Sequence, residues 1–187
     1  TSESLGEKHF QKAVELYKKA AGQHFPAGQL ELGFCYAHGR GVKQDFKLAF
    51  ELINKAAEKG DSDAQYELGV FYQNGIGVKA NLEESTKWTL SAAQQGHSLA
   101  QARIAFNYAN GFGIKESKTL AKSWAKKSAA QECVRGHFVT GFLNKDLKEK
   151  FSTFKYCAEQ EDELAMLLLG SLYLKGAGVK KNSQKGR

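Results

Sequence analysis

Small and apolar residues recur at Ala64, Leu68, Gly69, Phe71 and Tyr72. This is the three-and-four spacing of a helix that turns one face inward, and it predicts a helix over Ser62–Asn74. Gly75 follows it, a stop that tolerates left-handed backbone angles. A second helical stretch begins at Asn81 and carries Trp88, Ala92 and Ala93 before Gly96. Asn81 is a good N-cap residue, able to satisfy orphan amides of the first turn. The predicted unit is therefore two helices joined by a glycine-rich loop.

The pattern returns along the chain. At a shift of 36, Gln29–Gly60 falls on Gln65–Gly96: Leu32-Gly33 on Leu68-Gly69, Tyr36 on Tyr72, Gly39-Arg40-Gly41-Val42 on Gly75-Ile76-Gly77-Val78, and Ala56-Ala57 on Ala92-Ala93. A second shift of 36 takes Tyr72 to Tyr108, Gly75-Ile76-Gly77 to Gly111-Phe112-Gly113 and Trp88 to Trp124. A shift of 65 from Tyr108 reaches Tyr173, with Gly176-Ala177-Gly178-Val179 behind it. Residues Val134 to Glu161 form a shortened repeat without the Gly-x-Gly loop. Phe10, Ala13 and Ala20 fall on Phe46, Ala49 and Ala56, so the chain opens in the second half of a repeat and ends inside one. Both ends read as cut edges of a longer array or as caps. Asp45, Ser117 and Asn182 match Asn81 as N-caps, and Pro26 sits at a first helical position, where its missing N–H costs nothing.

A helix pair alone exposes its apolar face, and stacking neighbours buries it. The predicted fold is all-α, a right-handed α-solenoid of antiparallel helix pairs. Its expected organisation is a single array over 1–187: a partial unit 1–24, repeats 25–60, 61–96 and 97–132, a shortened repeat 133–161 and a partial repeat 162–187.

The chain resembles the Sel-one-like repeat (SLR) proteins, short relatives of the tetratricopeptide repeat. The resemblance rests on Ala64-x-x-x-Leu68-Gly69-x-x-Tyr72-x-x-Gly75-x-Gly77-Val78, on Trp88-x-x-x-Ala92-Ala93-x-x-Gly96, and on their copies. It covers essentially the whole chain and departs from the family pattern at Val134–Glu161. It implies a protein-interaction scaffold of bacterial periplasmic, virulence or signalling settings, or a eukaryotic quality-control adaptor. The bacterial periplasm is favoured over the cytoplasm.

The composition is that of a globular chain, with 42% hydrophobic and 25% charged residues and one proline in 187 residues. No apolar run approaches the roughly 18 residues that span a bilayer. The first ten residues carry no signal-peptide pattern. The chain opens at Thr1 rather than at a methionine, which leaves processing open. A net charge of +7 favours acidic partners or anionic surfaces.

Candidate chemistry is sparse. The Gly-x-Gly loops follow a helix, not the strand that a dinucleotide fingerprint needs, and read as structural turns. His9, His24, His38, His97 and His137 form no HExxH and no triad order. Glu159, Glu161, Asp162 and Glu163 cluster where a helix begins, a setting its dipole favours. No metal, cofactor or catalytic residue is expected. Lys118, Lys122 and Lys126 line one helix stripe and are a candidate site for an anionic partner, with Lys115 and Lys127 beside them. Lys175, Lys180, Lys181, Lys185 and Arg187 follow in the tail. Nucleic-acid binding is not expected, because base-stacking aromatics and a known motif are both missing. Trp88, Trp124 and Cys35 read as core. Cys133 and Cys157 bracket the shortened unit, so a disulfide between them fits an oxidising compartment.

Sequence variation on the first helices carries most of the functional signal. If Ala64, Leu68 and Tyr72 face inward, a step of about 100° per residue puts positions 66, 70, 73 and 74 opposite. The candidate partner-binding residues are Leu30, Phe34, His38, Tyr66, Val70, Gln73, Asn74, Phe106 and Asn110. They either line an amphipathic groove on the concave surface, or Phe34, Val70 and Phe106 pack between adjacent units. The leading reading is a non-enzymatic scaffold for a protein with an acidic patch; one version is an immunity protein that caps a secreted toxin. A second version is an adaptor of a membrane-associated or quality-control complex. The alternative of another class is a beta-lactam-type hydrolase, for which Ser117-Lys118 and Ser123 lack the companion motifs.

Overall fold

The computed structural model describes residues 2–177, with side chains from residue 6 onward. Among these residues there are ten helices and no strand: α1 (Ser2–Gly22), α2 (Pro26–His38), α3 (Phe46–Glu58), α4 (Ser62–Asn74), α5 (Leu82–Gln94), α6 (Ser98–Asn110), α7 (Lys118–Ala129), α8 (Val134–Leu143), α9 (Leu147–Glu159) and α10 (Glu163–Lys175). The predicted all-α helical-repeat fold is what the chain adopts. Gly178, Val179, Asn182 and the tail cations Lys180, Lys181, Lys185 and Arg187 lie outside the described residues. The helices fall into two compact units, Thr1–His97 and Ser98–Arg187.

In the first unit α2 pairs with α3 and α4 with α5. Pro26 occupies the first position of α2, as expected. Each pair is joined by the same loop. Gly39 and Gly75 end the first helices in the left-handed region, and their amides bond to the carbonyls of Cys35 and Phe71. The second helices start on side-chain caps: Asp45 accepts from the Leu48 amide, and Asn81 from the amides of Glu83 and Glu84. The cap residue also ties the loop back. Its amide donates to the carbonyl of the preceding helix's tyrosine, Asp45 to Tyr36 at 2.9 Å and Asn81 to Tyr72 at 2.8 Å.

The second loop glycine sets the distance between successive repeats. Gly41 has φ +69°, and a Cβ there would lie 2.6 Å from the carbonyl carbon of Phe10. Gly77 has φ +68°, and its Cβ would run into the backbone of Phe46. Phe46 opens α3, and Phe10, its match one repeat earlier, lies within α1. No other residue fits, because the left-handed angle and the close approach act together. The core between the helices is built on Ala49, Ile53, Ala56, Ala57, Ala64 and Leu68, with Phe50 and Tyr72 edge to face at 5.4 Å.

A buried glutamine recurs in the first helices. Gln65 is 7% exposed, donates to the Ala57 carbonyl and accepts from Gln95 at 2.8 Å. In the second unit Gln101 accepts from Gln131 at 2.9 Å. Gln29 holds the same position in α2, but 30 residues on stands Lys59, whose Nζ donates instead to the His24 carbonyl at 2.6 Å. Gln29 Oε1 is left buried without a partner.

In the second unit α6 and α7 repeat the pair. Ser117 caps α7 through the Leu120 amide, and its own amide donates to the Tyr108 carbonyl at 2.8 Å. The shortened unit replaces the glycine loop with three residues. Asn144 leaves α8 in extended backbone and Asp146 caps α9 through the amides of Lys148 and Glu149. Asn144 braces this turn, accepting from the Asp146 amide and donating to Glu149 Oε2 at 2.6 Å. Val139, Phe154, Cys157 and Ala165 form the core beneath it, with Phe138 and Phe154 rings 5.6 Å apart. Trp88 and Trp124, read as core, are only half-buried; Lys127 Nζ lies 4.4 Å from the Trp124 ring centre. Cys35 is buried, as read.

Two stability outcomes follow. Gly77→Ala should destabilise more than Gly75→Ala. A Cβ at Gly75 meets nothing closer than 3.4 Å. Gly75→Ala then carries only the left-handed penalty of about 1–2 kcal/mol. Lys59→Gln should stabilise by about 1 kcal/mol by giving Gln29 Oε1 a donor. Urea unfolding of the full chain reads all three; a loss of stability in Lys59→Gln would show that the His24 bond outweighs the glutamine pair.

Candidate functional site

The face predicted from the first helices divides on inspection. Leu30 does not line a surface. It is 7% exposed and belongs to the core with Ala49 and Ile53, because a first helix meets second helices on two sides and has a wider buried arc than one-sided packing assumes. Phe34 is half-buried and leans on that core. His38 Nδ1 lies 2.9 Å from the Phe34 carbonyl, and Asn110 Nδ2 donates to the Phe106 carbonyl at 2.8 Å. Both side chains finish their own helix, satisfying a carbonyl of the last turn. Tyr66 and Val70 are half-buried; Gln73 and Asn74 are exposed. The Tyr66 ring stacks on His97 at 4.7 Å, and His97 Nε2 sits 3.3 Å from Asp63.

In the second unit Phe106 is the centre of an aromatic cluster. Phe112 and Phe142 each lie 6.0 Å from it, centroid to centroid. Phe112 is 49% exposed and Phe142 42%. Neither was singled out from sequence. Phe142 stands 36 residues after Phe106, so the repeat arithmetic carried into the shortened unit points to it. Phe112 is the variable residue of its Gly-x-Gly loop, matched by Arg40 and Ile76, and only the fold shows that this residue reaches back over the first helix.

Lys118, Lys122 and Lys126 are exposed along α7, with Lys118 3.7 Å from Glu116. Asp162 caps α10 through the Ala165 amide and lies 3.7 Å from Arg135. Glu163 follows in the first turn of α10, as expected. No group of three or more potential metal ligands occurs among the described residues. No described helix is long and apolar enough to cross a membrane.

Cys35, Cys133 and Cys157 are free thiols, so Cys133 and Cys157 are not joined here. Cys157 Sγ donates instead to the Val134 carbonyl at 3.6 Å. Burial, with Asp162 adding and Arg135 opposing, pushes the Cys157 thiol up to about 11. Burial also raises Cys35, with Glu31 adding to it and Arg40 opposing. Both are poor nucleophiles at neutral pH. Cys133 is half-buried and lines an open cavity of about 710 Å³ with Leu99, Val134, Arg135 and Leu164.

The helix–loop–helix units, their paired left-handed glycines and their buried alanines match one known repeat pattern. The Sel1 repeat matches residues 6–24, 26–61, 62–97, 98–133 and 164–187. The chain belongs to the Sel1 repeat family. Proteins of this family are generally non-enzymatic scaffolds for protein–protein interaction. The chain is similar to a Sel1 repeat protein from Oxalobacter formigenes, with 27% identity and a TM-score of 0.87 over 96% of this chain and 74% of that one. It is also similar to c5321, a protective antigen present in uropathogenic Escherichia coli strains, with 30% identity and a TM-score of 0.84 over 95% of this chain and 39% of that one. The immunity protein Pa5087 from Pseudomonas aeruginosa shares the fold at 18% identity and a TM-score of 0.60, over 92% of this chain and 69% of that one. No curated protein matches the sequence significantly.

The thiols of this Sel1 repeat protein should separate by reactivity. Cys133 should react first with a thiol reagent under native conditions, Cys35 and Cys157 only on unfolding, for a total of three. A total of one would show that Cys133 and Cys157 pair in solution.

Proposed function

We propose that this Sel1 repeat protein is a non-enzymatic scaffold that holds a protein partner on exposed parts of its first helices. The observation that carries this is the cluster of Phe106, Phe112 and Phe142, whose outer two rings are nearly half exposed. Exposed aromatic rings in mutual contact are costly to leave in water and are the residue type that anchors interfaces. In the first unit Tyr66, Val70, Gln73 and Asn74 offer a second candidate surface. The exposed Lys118, Lys122 and Lys126 would steer a partner with an acidic patch, chiefly through the association rate. Leu30, His38 and Asn110 are not needed for this reading. Leu30 packs in the core, and the other two bond to their own helix.

Immunity to a secreted toxin is one form of the proposal. The likeness to Pa5087 supports the fold alone, so that form rests on the scaffold reading and not on a shared site. No observation favours a hydrolase: of its candidate serines, Ser117 is used as the cap of α7 and Ser123 is exposed within that helix.

The test is affinity capture from the native host's extract, with the wild-type chain and a Phe112→Ser/Phe142→Ser chain as parallel baits. A single stoichiometric protein, retained by the wild type and lost on the folded variant, is expected, with capture that weakens as salt rises. Equal capture on both baits would move the site away from the aromatic cluster. No protein on either bait would remove the scaffold reading.

A further inference from the structure

We propose that the outer face of α7 holds this chain on an anionic lipid surface. The inference goes beyond the scaffold reading and does not depend on it, since that reading is anchored on the aromatic cluster.

Among the 12 residues of α7, Lys118, Lys122, Lys126 and Lys127 are cationic and none is acidic. All four lysines are exposed. Such a helix works against its own stability. Lys118–Lys122 and Lys122–Lys126 are like-charge pairs at a spacing of four, which destabilise a helix. Lys118 also sits in the first turn, where the helix dipole favours the opposite sign. Among the described residues Glu116 is the only acidic partner of this stripe, 3.7 Å from Lys118.

The second helices on either side of α7 in the chain follow the ordinary rule. α3 alternates Lys47, Glu51, Lys55 and Glu58. α5 opens on Glu83 and Glu84, and Lys87 lies 3.4 Å from Glu84. α9 has Glu149 in its first turn and pairs Lys155 with Glu159 at 3.7 Å. The packed side of α7 does not depart from them: Ala121, Ala125 and Ser128 are buried in the places of Ala49, Ile53 and Ala56. Only its outer charge does. A charge pattern that local stability does not select marks a face with another use.

The make-up of that face decides the class of occupant. Its outward arc is Thr119, Lys122, Ser123, Lys126 and Lys127, all exposed, and its cations are all lysine. Protein interfaces favour arginine and large rings and are depleted of lysine. Nucleic-acid sites add a ring free to stack or an arginine for the base edges. α7 has no arginine, and its Trp124 is half-buried with Lys127 Nζ 4.4 Å from the ring centre. A headgroup layer asks for neither feature. It is fluid and takes separate point charges on flexible stems, each lysine adding about fivefold in affinity. With a rise of about 6 Å between successive members, the stripe of Lys118, Lys122 and Lys126 presents about 12 Å of positive charge. Leu120, 43% exposed at the edge of the arc, is its one large exposed apolar neighbour. Attachment therefore rests on charge and is screened by salt.

The experiment is cosedimentation of the full chain with vesicles of phosphatidylcholine, with and without phosphatidylglycerol, and in parallel its binding to a DNA duplex. The wild type should bind the anionic vesicles alone, and less as salt rises. Lys122→Gln/Lys126→Gln should weaken that binding by about 25-fold. Its urea stability should be no lower than wild type, since both like-charge pairs are relieved. Lys47→Gln/Lys55→Gln on α3, with the same net charge, should bind nearly as the wild type does. Phe112→Ser/Phe142→Ser should keep full vesicle binding, which separates this test from that of the scaffold. No binding to anionic vesicles at low salt would overturn the proposal and leave the lysines to steering an acidic protein. An equal loss in the α3 pair would overturn it in favour of net charge alone. Tighter binding to the duplex, lost in Lys122→Gln/Lys126→Gln, would overturn it in favour of a nucleic acid.

Discussion

Ala49, Ala56, Ala57 and Ala64 in the first unit, and Ala100, Ala105, Ala121 and Ala125 in the second, are buried to within about a percent. They sit where two helix backbones approach most closely, and the rest of the structure depends on that approach. A larger side chain at any of them would push a helix off its neighbour and, through the loop, displace the next pair. The limit is visible where even a methyl group is too large. The place of Ala64 and Ala100 is taken by Gly28 and Gly136. A Cβ at Gly28 would lie 2.5 Å from that of Ala20, and one at Gly136 would press on Ser128 and Ala129. Close packing of this kind gains dispersion energy over many small contacts and leaves little room for adjustment. The loop glycines Gly41 and Gly77 impose the same limit between repeats, through backbone instead of side chain.

Most of the fold was legible because these constraints act on residue identity. A left-handed φ beside another helix selects glycine, a first-turn amide selects Asp, Asn or Ser, and a helix crossing selects alanine. Each constraint recurs at 36 residues and is read by alignment alone. Ser62–Asn74 was predicted to its ends for this reason. The shortened unit was less legible, because its turn uses Asn144 and Asp146 in a local brace that has no copy elsewhere in the chain.

The candidate surface was legible only in part, and the reason is geometric. A single inward face, as an isolated amphipathic helix would show, puts Leu30 and Tyr66 on the far side. A first helix here is held from two directions, so the buried arc reaches Leu30 fully and Tyr66 in part. His38 and Asn110 look like polar rim residues in a pattern of hydrophobic and polar positions. Their bonds to Phe34 and Phe106 show that a polar side chain in a last turn serves its own helix first. What survives of the face is its aromatic content in the second unit, and that depends on Phe112, a loop residue outside any helical periodicity.

Recognition and architecture therefore draw on different positions of one repeat. The places held by Ala64, Gly69 and Gly77 admit almost no variation, since each is pressed against backbone or a buried side chain. The place held by Phe34 is Val70, Phe106 and Phe142 in the following units, and the middle residue of the loop is Arg40, Ile76 and Phe112. These positions lie at the edge of the packed arc, where a side chain can be exchanged without moving a helix. In the second unit aromatic rings occupy both kinds of place and meet one another. A surface assembled in this way is held by a backbone that its own residues do little to stabilise, so its chemistry is free to follow the partner.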